Sequence, residues 1–213
     1  MNGKKVIIAA SVLLLVLLIG GAIAYFSDVD TKTNTISIGK IEIETNWTAI
    51  SADKRLPRET ISTSPTITNT GLNPAYVFAE VVVPYANVIT EELNGDTIAA
   101  RDTQLFTFTP NSGWVQVGEA VKDTTNNVFK YIYAYSNGTA MTALSNEAGS
   151  NVTPAIFTSV QFANVQEGQS LEGTTKTMTI NGYGIQTSNI TDSNATAPAD
   201  VWAVLNASRP VNP

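Results

Sequence analysis

Ala75-Tyr76-Val77-Phe78-Ala79-Glu80-Val81-Val82-Val83 is the stretch that decides the fold. An almost unbroken apolar run of this kind predicts a strand buried on both faces, and Pro84 is expected to end it. Upstream, Ile61–Asn69 reads as a strand closed by an Asn69-Thr70-Gly71 turn, and Lys54–Glu59, charged and holding Pro57, reads as a loop. Further back, Ile36 and Ile38 alternate with polar neighbours, and Ile41 and Ile43 do so on the opposite parity. The flip at Gly39-Lys40 is a β-bulge pattern, so Thr35–Thr45 is expected to be one bent strand.

Downstream, Leu93–Asp102 is polar, with a turn at Asn94-Gly95. Leu105–Phe108 and Trp114–Val117 flank Pro110-Asn111-Ser112-Gly113, which predicts a hairpin. Val128–Tyr135 alternates strongly and sets Tyr131, Tyr133 and Tyr135 on one side. Ala140–Thr153 reads as a long loop or a short helix. Phe157–Phe162 and Thr174–Gln186 are further strands, separated by a turn at Gln166-Glu167-Gly168-Gln169. Across Ala197–Leu205 the period changes: Pro198 suits a first helical residue, Asp200 suits the first turn, and Val201, Trp202 and Leu205 fall at helical spacing. Eight or nine short strands with turns between them predict an all-β fold, a jelly-roll-like two-sheet β-sandwich with a short C-terminal helix.

The N-terminus has a different character. Lys4 and Lys5 precede an apolar run from Val6 to Ile19, and Ala22 and Ala24 supply the small residues of an A-x-A cleavage site. This is the order of a secretory signal peptide, expected as a helix over residues 1–24 with the cut before Tyr25. The competing reading is a retained anchor, since Val6 to Ala24 spans 19 residues, close to the length a bilayer needs. Against it stand the small-residue exit and the lack of a basic flank after Ala24. Tyr25–Thr35 is then an exposed N-terminal arm, and residues 36–213 are the sandwich domain.

The 213 residues carry 12 basic and 18 acidic side chains, and loss of the leader leaves 10 against 18, a net charge of -8. An acidic chain without a basic cluster is not built for nucleic acid or anionic lipid. With no cysteine and no histidine, thiol chemistry, serine-hydrolase triads and HExxH zinc sites are excluded. Carboxylate chemistry, lysine chemistry and a calcium site stay open.

Each chemical candidate meets a simpler reading. Asp28-Val29-Asp30 opens like an EF-hand loop, but Thr33 and Gly39 stand where Gly and Glu are needed, and Lys32 occupies a ligand position. Glu80, Glu91 and Glu92 are candidate general bases, with Glu91-Glu92 read as a solvated turn. Tyr131, Tyr133 and Tyr135 with Trp114 suggest a carbohydrate platform, against the plainer reading of strand aromatics filling one face. Trp202 is read as a plug beneath the terminal helix. Six N-x-[ST] sequons, at Asn46, Asn137, Asn151, Asn189, Asn194 and Asn206, are what an Asn- and Thr-rich chain produces by chance. No catalytic residue, cofactor or metal is assigned.

Several segments, in order, resemble the SipW-dependent secreted family that includes TasA, CalY and camelysin. They are Gly21-Ala22-Ile23-Ala24-Tyr25-Phe26-Ser27-Asp28, Thr31–Thr35, Ile38–Ile43, Asn69-Thr70-Gly71 before Ala75-Tyr76-Val77, Val128–Tyr135 before Pro154–Val160, and Ile185-Gln186 before Ala199-Asp200-Val201-Trp202. The resemblance implies a jelly-roll subunit exported through a signal peptidase of the SipW type. Relatives of the TasA type build biofilm matrix fibres in which one subunit's freed N-terminal segment completes the sheet of the next. Camelysin relatives are described as metallopeptidases.

Donor-strand exchange has a physical basis: an open sheet edge accepts a foreign strand through main-chain hydrogen bonds, and alternate side chains fill pockets. Here Tyr25, Phe26 and Val29 are the expected anchors. The partners expected are other copies, added head to tail, or a related family subunit, with the membrane involved only before cleavage. The expected function is a secreted, non-enzymatic subunit of extracellular fibres. The alternatives are a monomeric secreted or surface-bound binding module, and a camelysin-type peptidase.

Overall fold

The computed structural model describes residues 41–51, 55–169, 171, 176–190 and 196–208. The leader with Ala22 and Ala24, the arm with Tyr25, Phe26 and Val29, the Asp28–Asp30 motif and the parity flip at Gly39-Lys40 lie outside them.

The spine is β5, Ala75–Glu91. Its first half lies between β10 (Val128–Tyr135) and β12 (Thr177–Gln186), with Tyr131 and Ile180 both opposite Val81 in antiparallel register. Burial on both faces holds as expected: Ala75, Val77, Ala79, Val81 and Val83 enter the main core, while Tyr76 and Phe78 enter a second cluster on the other side. Pro84 does not end the strand. It sits where the β10 and β12 ladders finish, its carbonyl accepts from Leu105 N, and its missing N–H falls at this change of partners. From Tyr85 onward β5 pairs with β6, Thr97–Gln104.

Three short strands complete this seven-stranded sheet. β2 (Ile50–Ser51) adds to β12, and β8 (Trp114–Gln116) and β9 (Val121–Asp123) follow one another along β10.

The facing layer is made of two small sheets. β1 (Ile43–Asn46) pairs with β4 (Thr66–Asn69), and β11 (Ser159–Phe162) lies between β3 (Thr60–Ser62) and β7 (Phe106–Phe108). Thr63 N donates to Thr158 O, Ile156 N to Pro65 O and Thr153 N to Ile67 O, so the two sheets continue into one interrupted layer. Its order runs from β1 over β12 to β7 over β10. The first contact needs glycine: a Cβ on Gly182 would meet the Thr45 hydroxyl, and one on Gly184 would crowd Ile43 and Ile41. At the other side, the Phe108 ring lies 5.9 Å from both Tyr131 and Tyr133.

The all-β class with a short C-terminal helix holds, and α1 (Pro198–Ser208) begins at the expected proline. Val201 and Leu205 are buried against the outer face of β5, and Trp202 packs 5.2 Å from Phe78 and 5.8 Å from Tyr183.

Three details differ from expectation. The strand expected over Ile61–Asn69 is broken into β3 and β4, because Pro65 has no N–H to continue the ladder. Leu105–Phe108 and Trp114–Val117 do not form a hairpin: the turn at Gly113 (φ 90°) sends the chain from one layer to the other, so β7 pairs with β11 and β8 with β10. The described strands number twelve, more than eight or nine, because Pro65 splits one expected strand in two and β2, β6 and β9 lack apolar alternation. Ala140–Thr153 takes the loop reading rather than the helix, tied down by bridges from Met141 to Ser136 and from Leu144 to Ala75. Among the described residues no helix is long and apolar enough to cross a membrane.

Candidate assembly edge

Sheet edges carry unpaired N–H and C=O groups, and proteins usually blunt them with charge. The β6 edge holds Arg101 and Asp102, and β9 holds Lys122 and Asp123. Lys122 pairs with Asp102 at 2.6 Å, and Lys130 with Asp123 at 2.8 Å. These contacts shift the groups: the Lys122 ammonium, then Asn87, holds Asp102 below the usual carboxylate range, and Lys130, then Asn126, lowers Asp123.

The edge of β3 is different, since Thr60 and Ser62 are exposed and uncharged. Phe162 N donates to Glu59 O at 2.8 Å, and Thr63 N to Thr158 O at 3.0 Å, so the odd positions face β11. By alternation Thr60, Ser62 and Ser64 turn their backbone groups outward, where no described strand pairs with them. The cause is the path of β1. It covers β4 only as far as Asn46, then the chain crosses at Trp47 to the opposite layer and joins β12 as β2.

A cleft of about 580 Å³ opens at this crossing, lined by Thr45, Asn46, Trp47, Thr48, Thr63, Ser64 and Pro65. The Trp47 indole packs edge-on against Phe157 at 5.7 Å, yet its buried Nε1–H has no hydrogen-bond partner among the described residues. Such an unmet donor costs about 1–3 kcal/mol. By contrast, Trp114 Nε1 donates to Pro154 O at 3.1 Å. Beside the edge, Ile61 packs on the core but stays only half-buried. The loop that launches β3 is well held: Glu59 accepts from Leu56 N at 3.0 Å and pairs with Arg55 at 2.9 Å, which together keep its carboxyl below the usual range.

The other candidates are scattered. Glu80 accepts from Asn181 and from the Tyr183 hydroxyl, each at 2.9 Å. Glu91 and Glu92 line a cleft of about 570 Å³ with Arg58, Asn94 and Gln161, and lie beside the expected turn at Asn94-Gly95. Tyr131, Tyr133 and Tyr135 do share one face with Trp114, but that face packs on the core: Tyr133 is 4% exposed, and burial, then the neighbouring Tyr131, pushes its hydroxyl up to about 12. The β3 edge was not foreseen. Its signal in the sequence is Thr63-Ser64-Pro65, the only warning that a strand is interrupted there.

The family model for camelysin metallo-endopeptidase matches residues 3–98, a span that runs from the N-terminus through β5. Over that span the chain is similar to the camelysin family. This is the camelysin-like TasA/CalY family that the sequence motifs resemble. No curated protein and no solved structure shows a significant match.

The camelysin description implies a metal, and the donor set can be tested against one. The chain has no histidine or cysteine, and the described residues bring no three carboxylates together. Glu59, Asp102 and Asp123 are each committed to a cation, and Glu80 to Asn181 and Tyr183. The described residues therefore do not fit a catalytic metal, which needs three or more converging donors.

Proposed function

We propose that this camelysin relative is a secreted structural subunit of extracellular fibres, built head to tail by insertion of one copy's N-terminal arm into the next. In this reading a SipW-type peptidase cuts after Ala24, and Tyr25, Phe26 and Val29 anchor the freed arm. Until the cut, the membrane segment tethers the arm.

One observation carries the reading. The described chain joins the thinner layer at one end, where Glu42 O accepts from Thr70 N, and that layer's unpaired edge at β3 lies at the other end. An open edge filled by another copy's arm is a head-to-tail contact, and such a contact repeated without closing gives a filament. Electron microscopy of chains beginning at Tyr25 and at Ile36 tests it. Filaments from the first alone are expected; equal polymerisation of both would overturn the arm's role, and single copies from both would overturn the fibre and leave the monomeric binding module. The camelysin description favours a peptidase as second reading, which a casein assay with and without chelator addresses.

A further inference from the structure

We infer that the cleft at the Trp47 crossing is a binding site for a neutral polyhydroxylated ligand, the exposed end of an oligosaccharide. One copy carries the whole cleft, so the site stands apart from the fibre reading.

Two interruptions of the thinner layer make the site. After Asn46, opposite Thr66, the chain leaves β4 and crosses to the other layer, and on the facing side Pro65 parts β3 from β4. The space left between them, about 580 Å³, lies within the range of small-molecule sites, roughly 300–1,000 Å³. Both walls are held. Asn46 Nδ2 donates to Thr68 Oγ1 at 2.8 Å, and Thr63 N donates to Thr158 O at 3.0 Å. The Trp47 ring is braced against Phe157.

The lining selects the ligand class. Among the described residues, the hydroxyls of Thr48, Thr63 and Ser64 have no partner, Asn46 Oδ1 has no donor, and the buried Trp47 Nε1–H has no acceptor. An apolar ligand would leave these groups unpaired. An ion would lose water with no opposite charge to meet it, because the lining holds no charged side chain. The cleft beside Glu91 and Glu92, which also holds Arg58, differs in that respect. A sugar hydroxyl is one donor and two acceptors, as those of threonine and serine are, so it pairs with any of these groups. A peptide offers one N–H and one C=O per residue, a sparser set than the hydroxyls around a sugar ring. One ligand oxygen accepting from Trp47 satisfies a donor that water does not reach. The half-buried indole is apolar on its faces and polar at its N–H, the same division that a sugar ring has between its C–H faces and its hydroxyls.

The chain's three tryptophans provide the readout: a nitrogen–proton correlation spectrum shows their indole N–H signals, and Trp47→Phe identifies one of them. The full chain, uncut and held as single copies in a sugar-free detergent, is titrated at millimolar concentration with tetrasaccharides of glucose, of mannose and of N-acetylglucosamine. Tetragalacturonate serves as the charged control, and a synthetic Tyr25–Thr35 peptide as the competing occupant. At least one neutral tetrasaccharide is expected to move the Trp47 signal saturably while Trp114 and Trp202 stay in place. Ser64→Ala and Thr48→Val are each expected to weaken that ligand roughly three-fold or more, the worth of one neutral hydrogen bond. The site is overturned by no shift with any neutral sugar, by a shift at Trp114 or Trp202 instead, by a response confined to the peptide or matched by the charged control, or by full affinity in both variants. Since single copies are measured, the presence or absence of filaments bears on the fibre reading alone.

Discussion

The two layers of this sandwich solve the same problem differently. In the large sheet, β5 is paired on both edges through its first half, packed on both faces, and carried past Pro84 by a change of partner. In the facing layer no described strand exceeds four residues, Pro65 interrupts the middle, and β3 is left with a bare edge. The first layer is a scaffold that needs nothing more. The second is held mainly by side chains resting on that scaffold, so it tolerates incomplete pairing, and an incomplete ladder is what an added strand can use.

The contrast can be broken most forcefully in the scaffold. Phe78 is wholly buried between β5 and α1, so Phe78→Ala is expected to cost about 3–5 kcal/mol, read as a lower urea midpoint. A next probe is the contact between layers. Gly182→Ala places a methyl against the Thr45 hydroxyl, and lifting β1 from β12 is expected to cost about 1–3 kcal/mol by the same measurement. An unchanged midpoint would mean that β1 does not depend on this approach.

The two tryptophans sharpen the comparison. Trp114→Phe leaves the Pro154 carbonyl without its donor and is expected to cost about 1–3 kcal/mol. Trp47→Phe removes a donor that has no partner among the described residues, which offsets the lost contact area, and is expected to cost less than about 1 kcal/mol in single copies. Equal costs would show that the Trp47 N–H is satisfied after all.

The smallest effect is electrostatic. Lys130 first, then Asn126, lowers Asp123 in the folded chain. The stability this gives is present above the unfolded aspartate value of about 4 and drains away as pH falls below it. Melting temperature should decline on acidification below about pH 4, and Asp123→Asn should flatten that decline slightly; a parallel decline in both proteins excludes this pair as a contributor.

Legibility in the sequence followed burial. Ala75–Val83, Val128–Tyr135 and the helix at Pro198 were readable because each is packed along its length, and packing imposes a period. β6 was not readable, since its mostly exposed residues have no face to keep apolar. The partners of β7 and β8 were not readable either: the sequence marks the turn at Gly113, and a turn does not say which layer its arms join. The candidate edge was nearly silent, because an unpaired strand is defined by the neighbour it lacks.

Read alone, the sequence settled the all-β class, the doubly buried central strand, the C-terminal helix and the exclusion of histidine and cysteine chemistry. These are local or compositional properties, written in residue type and spacing. The division of the second layer, the close approach at Gly182, the crossing at Trp47 and the open edge of β3 were decided by the tertiary structure. Each depends on which distant segments arrive side by side, and no period within a single strand encodes that.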